Sequence, residues 1–158
     1  MNYWLFKSEP GEFGIDDLAD SPGKTNHWDG VRNYQARNMM RDQMKKGDLA
    51  FFYHSNCEQP GIVGTVIVVT EGYSDHTAFD PKDKHFDAKS DPENPRWFMV
   101  DVKLKRKFAA ELPLKFLKQF QDKELQGFQL LMRGNRLSVM PVKKAHWNFI
   151  NSLLRKSF

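Results

Sequence analysis

The run Ile62 to Thr70 constrains the chain most, because it is short, nearly all apolar and carries a glycine, Gly64, in its interior. Such a run reads as a buried strand. A glycine inside it marks a bulge or the close approach of another backbone, as a strand bent into a barrel requires. Leu49 to His54 reads as a second strand, separated from the first by a loop from Ser55 to Gly61, so the two are expected to be sheet neighbours.

The rest of the chain supplies more strands and several helices. Tyr3 to Lys7 reads as an opening strand broken at Glu9-Pro10-Gly11, and Ile15 to Ala19 as a short helix stopped by Ser21-Pro22-Gly23. From Asn33 to Lys45, the residues Tyr34, Arg37, Met40, Arg41 and Met44 recur at spacings of three and four, which predicts a helix ended by Gly47. Residues 74–96 are rich in Asp, Lys, Pro and His and read as a long surface loop. Trp97 to Lys107 reads as a strand with Phe98, Val100, Val102 and Leu104 inward and Met99, Asp101, Lys103 and Lys105 outward. Leu114 to Phe120 and Leu125 to Leu131 read as short helices, Arg136 to Met140 as a last strand, and the stretch after Pro141 as an amphipathic helix with Trp147, Ile150 and Leu154 on one face. The expected fold is a mixed α/β (α+β) domain, single over residues 1–158, around a curved sheet or small barrel.

At 158 residues such a domain buries a core large enough to fold without disulfides or a structural metal. The one cysteine, Cys57, permits no internal disulfide and fits a reducing compartment. No stretch approaches the roughly 20 apolar residues of a membrane span, and no signal-peptide pattern opens the chain. A cytosolic protein is expected, or a nuclear one in a eukaryote. The net charge of +4 is unevenly placed: residues 71–158 carry 17 Lys and Arg against 11 acids, which raises the odds of a polyanionic partner.

Most enzyme and cofactor chemistries find no support. The nearest approach to a metal set is His54 with Cys57, which is too sparse, and neither Gly11 nor Gly14 opens a phosphate-cradling loop, so no metal or cofactor is implied. Lys7, Ser8 and Glu9 place an amine, a hydroxyl and a carboxylate together at a strand end, either as a site or as solvated charges with Ser8 serving the backbone. Trp28 to Asn38 concentrates two aromatics, two Arg, two Asn and a Gln in eleven residues. A flat polar ligand stacks on Trp and pairs with Asn and Ser groups, as an extruded nucleobase does. The same residues also suit a core Trp followed by helix caps, and composition leaves the two readings even.

These blocks together resemble the EVE-domain family, within the PUA-like group to which YTH domains also belong. The resemblance covers nearly the whole chain and rests on Tyr3 to Pro10, Trp28 to Asn38, Gly47-Asp48, Phe51 to Asn56, Gly61 to Gly64, Asp80-Pro81, Pro95-Arg96-Trp97 and Arg136 to Val139. It implies a curved sheet or barrel of five to six strands flanked by helices. It also implies a pocket for a modified base, such as methylated or hydroxymethylated cytosine, in DNA or RNA. By likeness to YTH readers, Ser8 and Trp28 correspond to cage positions, with Tyr53 or Trp97 as a second aromatic. The ligand-binding set is then Lys7, Ser8, Trp28, Val31, Arg32, Asn33, Tyr34, Arg37, Asn38, Tyr53, His54, Ser55 and Arg136, with Lys103 and Lys105 as phosphate contacts. Two rivals stand beside it: an ASCH-like amidohydrolase acting on modified nucleosides through Lys7 and Glu9, and a protein-interaction module with a basic face.

Overall fold

A computed structural model describes residues 1–157, with side-chain surroundings described through Leu154; Phe158, the last residue of the expected domain, lies outside that range. In chain order the elements are β1 (Tyr3–Ser8), α1 (Pro10–Phe13), α2 (Ile15–Asp20), β2 (Thr25–His27), α3 (Tyr34–Asn38), β3 (Leu49–His54) and β4 (Gly61–Val68). There follow β5 (Tyr73–Ser74), β6 (Phe98–Met99), β7 (Asp101–Pro113), α4 (Leu114–Leu117), β8 (Val139–Val142) and α5 (Lys144–Ser157). Six strands form one curled half-barrel sheet in the order β2-β7-β4-β3-β1-β8, and β5 pairs with β6 separately. No described helix is long and apolar enough to cross a membrane.

Among the described residues only β1 and β3 run parallel; every other pair in the sheet is antiparallel. A parallel pair needs a long crossover, and here the connection carries α1, α2, the far edge strand β2 and α3. That crossover holds most of the site described below. The sheet ends on β2, three residues long, and on β8, where Pro141 sits opposite Trp4; short strands and proline both discourage further pairing at an edge.

Side-chain alternation gives the two faces different work. On one, Trp147 of α5 stacks on Tyr3 at 4.8 Å and on Phe51 at 4.2 Å between ring centroids. On the other, Phe6 and its register partner Phe52 meet Trp28. The expected bend at Gly64 is present. The register of β4 against β7 shifts on either side of Gly64, and a Cβ there would lie 2.4 Å from both the Arg106 carbonyl oxygen and the Ile15 side chain.

Four expectations are corrected. The helix over 33–45 is α only through Asn38 and then widens into a π turn, Met39–Gln43, which lets Met39, Met40 and Met44 all reach the core. The strand over 97–107 is two strands. The chain changes sheets at Val100, so Met99 and Trp97, read as outward, are 1% and 6% exposed, and β7 runs on to Pro113. Residues 125–131 form turns and a short 3-10 segment, Gln129–Leu131, because Gly127 at φ 81° breaks the helix. The last strand begins at Val139, leaving Arg136 exposed in the preceding loop.

Candidate nucleic-acid interface

A cleft of about 620 Å³ opens where the end of β1 meets the crossover. Its inner wall is aromatic: Trp28 lies 5.0 Å from Phe6, 5.3 Å from Phe52 and 6.2 Å from Phe13, the last two edge to face. Trp28 is only 7% exposed, so it is a core residue whose remaining surface faces the cleft. Phe13 is the second aromatic of this wall, in place of the Tyr53 or Trp97 expected from the sequence. The Ser8 hydroxyl donates to the Phe13 carbonyl at 2.6 Å and so fixes the turn that presents Phe13.

Besides Ser138, just before β8, the rim is mostly polar and comes from three directions. The end of β1 and the residue after it supply Lys7, Ser8 and Glu9, and the rest of the crossover supplies Glu12, Asn26, His27, Asp29, Gly30 and Val31. Burial lowers the pKa of the Lys7 ammonium. The third contribution, Lys84 and His85, comes from the loop between β5 and β6, which the sequence presented only as surface. The His85 ring lies over Gly30, and its buried Nδ1 stands 3.4 Å from carboxylate oxygens of both Asp29 and Asp83, with no well-formed hydrogen bond to either.

That loop is fastened by Asp75, whose side chain is fully buried. Its carboxylate accepts from the Gly30 backbone at 2.8 Å, from Arg32 Nη1 at 3.0 Å, and from the Thr77 backbone and hydroxyl. Burial pushes the carboxyl up, but the hydrogen bonds from Thr77, Gly30 and Arg32 outweigh it, leaving Asp75 below the usual carboxylate range. Arg32 also donates to the His85 carbonyl through Nε and Nη2. Its guanidinium is thus spent on holding the loop.

Of the expected ligand-binding set, Lys7, Ser8, Trp28 and Val31 line the cleft, as does Glu9 of the rival enzyme reading. The others stand elsewhere. Asn33 caps α3 by accepting from the Ala36 backbone, and Tyr34 stacks on Trp97 at 4.9 Å with the Arg37 guanidinium over its ring. Arg37 bonds Asn38 and the Arg96 carbonyl. Tyr53 lies beneath Lys7, its phenol pushed up to about 12 by burial and the nearby Cys57. His54 Nε2 accepts from the Ile15 backbone, and the Ser55 backbone donates to the Ser8 carbonyl, so both brace the walls from outside. Arg136 lines a second hollow of about 340 Å³ with Asn33 and Gln35. Lys103 and Lys105 are exposed on β7, where Lys103 is the register partner of Thr25 in β2, the strand that sends Asn26 and His27 to the cleft.

The segments that sequence reasoning missed, around Phe13, His27 and His85, carry little local signal because only the long-range fold brings them together. A hint lay in Gly30, whose φ of 78° and contact with His85 exclude a side chain.

The family model described as "EVE domain" matches residues 2–153. Thymocyte nuclear protein 1 of Danio rerio is 47% identical, the match covering 95% of this chain and 71% of that protein; the Homo sapiens protein of the same name is 43% identical, at 98% and 75%. Among solved structures, human THYN1 protein in complex with 5-methylcytosine-containing DNA superposes with a TM-score of 0.93 at 42% identity, over 98% of both chains. A Pseudomonas putida protein superposes with a TM-score of 0.90 at 45% identity, over 96% of this chain and 99% of that one.

Proposed function

Because the chain belongs to the EVE-domain family, we propose that it is a reader of modified DNA that takes a methylated or hydroxymethylated cytosine into the cleft walled by Trp28 and Phe13. The observation that carries this reading is the likeness, across nearly the whole chain, to a protein solved with 5-methylcytosine-containing DNA. The cleft suits the task. Its volume falls in the range of small-ligand sites, its aromatic wall offers a dry surface to a methyl group, and its rim offers Lys7 as a donor and Glu9 and Asp29 as acceptors. A carboxylate accepts from the exocyclic amine of cytosine, a group that thymine lacks. On this reading the chain works where DNA is kept, in a nucleus or a bacterial cytoplasm.

The test is a titration of DNA and RNA oligonucleotides carrying 5-methylcytosine, 5-hydroxymethylcytosine or cytosine at two salt concentrations. A preference for modified DNA that persists at the higher salt supports the reading. Equal affinity for modified and unmodified strands at both concentrations sinks it.

One observation favours the amidohydrolase alternative: Lys7, with its lowered pKa, and Glu9 line the same cleft. Against it, the Glu9 carboxylate already accepts from the Asn56 side chain at 2.6 Å in an exposed position. Product released from N-acylated nucleosides by the wild type and lost in Lys7→Ala would replace the reader with the enzyme.

A further inference from the structure

A base that pairs inside a duplex cannot reach a cleft on a protein surface unless it is extruded, and extrusion leaves a gap in the stack that something must fill. The 131–136 loop has the means to do so. Met132, the first residue of its turn, is 52% exposed, a conspicuous position for a long apolar side chain with no core to join. Arg133 and Arg136 beside it are also exposed, and among the described residues neither has an acidic partner.

The loop is held rather than loose. Met132 N–H donates to the Gln129 carbonyl, Asn135 N–H donates to the Met132 carbonyl, and Gly134 takes a φ of 77° to close the turn. The Asn135 side chain pins its base by donating to the Gln129 carbonyl at 2.8 Å and accepting from the Leu137 backbone at 3.1 Å. The backbone that carries Met132 is therefore held in place.

Its place next to the cleft is fixed by shared walls. The second hollow is lined by Asn33, Met132, Arg133, Arg136 and Leu137, while the cleft is lined by Val31 and Ser138. Two chain segments thus run side by side and wall both hollows, one residue apart on the 137–138 segment and two apart on the 31–33 segment. The same segment is tied to β1 by the Lys7 N–H, which donates to the Ser138 carbonyl at 2.8 Å.

We propose that Met132 is a wedge that enters the duplex at the site from which the modified base is drawn, with Arg133 and Arg136 meeting the flanking phosphates across the second hollow. The inference rests on the base-reading function proposed above. Apolar side chains, Met among them, are inserted between base steps where proteins unstack DNA, and the flexible thioether adapts to an irregular gap. A single strand has no stack to hold open, so the wedge contributes there nothing that matters.

The experiment measures Met132→Ala and Met132→Leu against one 5-methylcytosine sequence presented as a duplex and as a single strand, with an unmodified control of each. Met132→Ala is expected to lose on the order of tenfold in affinity for the methylated duplex and to keep wild-type affinity for the single strand, while Met132→Leu restores the duplex binding. Equal losses on both forms, or no loss on the duplex, overturn the wedge while leaving the reader intact. A wild type that prefers the methylated strand neither as a duplex nor as a single strand overturns the reader and the wedge together.

Discussion

Arg32 Nη1 lies 3.0 Å from Asp75 Oδ2, and that bond joins the segment carrying Trp28 to the loop carrying His85. Asp75 is completely buried, while Arg32 keeps 24% of its side chain in solvent. The arrangement places the cost of breaking the pair on the loop, because the arginine can rehydrate in place and the carboxylate must be exposed.

Asp75→Asn is therefore expected to destabilise the fold by about 3 kcal/mol, the lower end of the cost of breaking a buried pair. The pH dependence follows from the sign. Asp75 has a folded pKa below its ordinary value of 3.8, so its contribution is fully present above 3.8 and is lost as the pH falls through the folded value. Thermal unfolding of wild type and variant at pH 7 and down to pH 2 checks this. The gap between them should narrow on the acid side, and a constant gap would remove Asp75 from the acid response.

Gly30→Ala tests whether the His85 loop forms part of the site. An added Cβ would lie 2.4 Å from the His85 ring, on a backbone whose φ of 78° already disfavours a side chain. The ring must swing away and take the rim with it. Affinity for methylated DNA is expected to fall more than tenfold while the melting temperature drops by only a few degrees, since about 1 kcal/mol moves a domain of this size by roughly 2–4 °C. Retained affinity in the folded variant would show that the loop is dispensable for binding.

These two positions show how the chain's information is distributed. Local signals predicted β1, β3, β4 and the bend at Gly64, because burial and strand period are written in neighbouring residues. The block from Trp28 to Asn38 was equally visible as composition, but composition carries no direction. Trp28 and Val31 turn to the cleft, whereas Tyr34 and Arg37 stack outward beside Trp97 and the Arg96 carbonyl. Phe13, His27 and His85 escaped notice because nothing near them in sequence marks them. They meet only when the crossover folds over the sheet and Asp75 draws in the distant loop.

Trp28 serves the core and the cleft at once, so a variant must separate the two roles. Trp28→Ala would remove a buried aromatic at about 3–5 kcal/mol and confuse binding with unfolding. Trp28→Leu keeps an apolar side chain against Phe6 and Phe52 but removes the flat ring. With stacking worth ~1–3 kcal/mol per base, binding of methylated DNA should weaken by roughly 5- to 150-fold while a cooperative melt is retained. Unchanged affinity in the folded variant would take Trp28 out of the binding surface.

Lys103 and Lys105 offer a test of how far the DNA extends beyond the cleft. Both are exposed on β7, and the register of Thr25 with Lys103 places Lys103 one strand away from Asn26 and His27 on the cleft rim, with Lys105 two residues further along β7. A phosphate held by a lysine releases a counterion, so each such contact steepens the fall of log affinity with log salt by about 0.9 on duplex DNA. Changing both to Gln should therefore lower that slope by up to about 1.8 if both meet phosphates. The preference for methylated over unmodified cytosine should not move, because neither lysine lines the cleft. An unchanged slope confines the DNA to the cleft and the Arg133–Arg136 side of the molecule; a changed base preference would place the lysines in the recognition of the base itself.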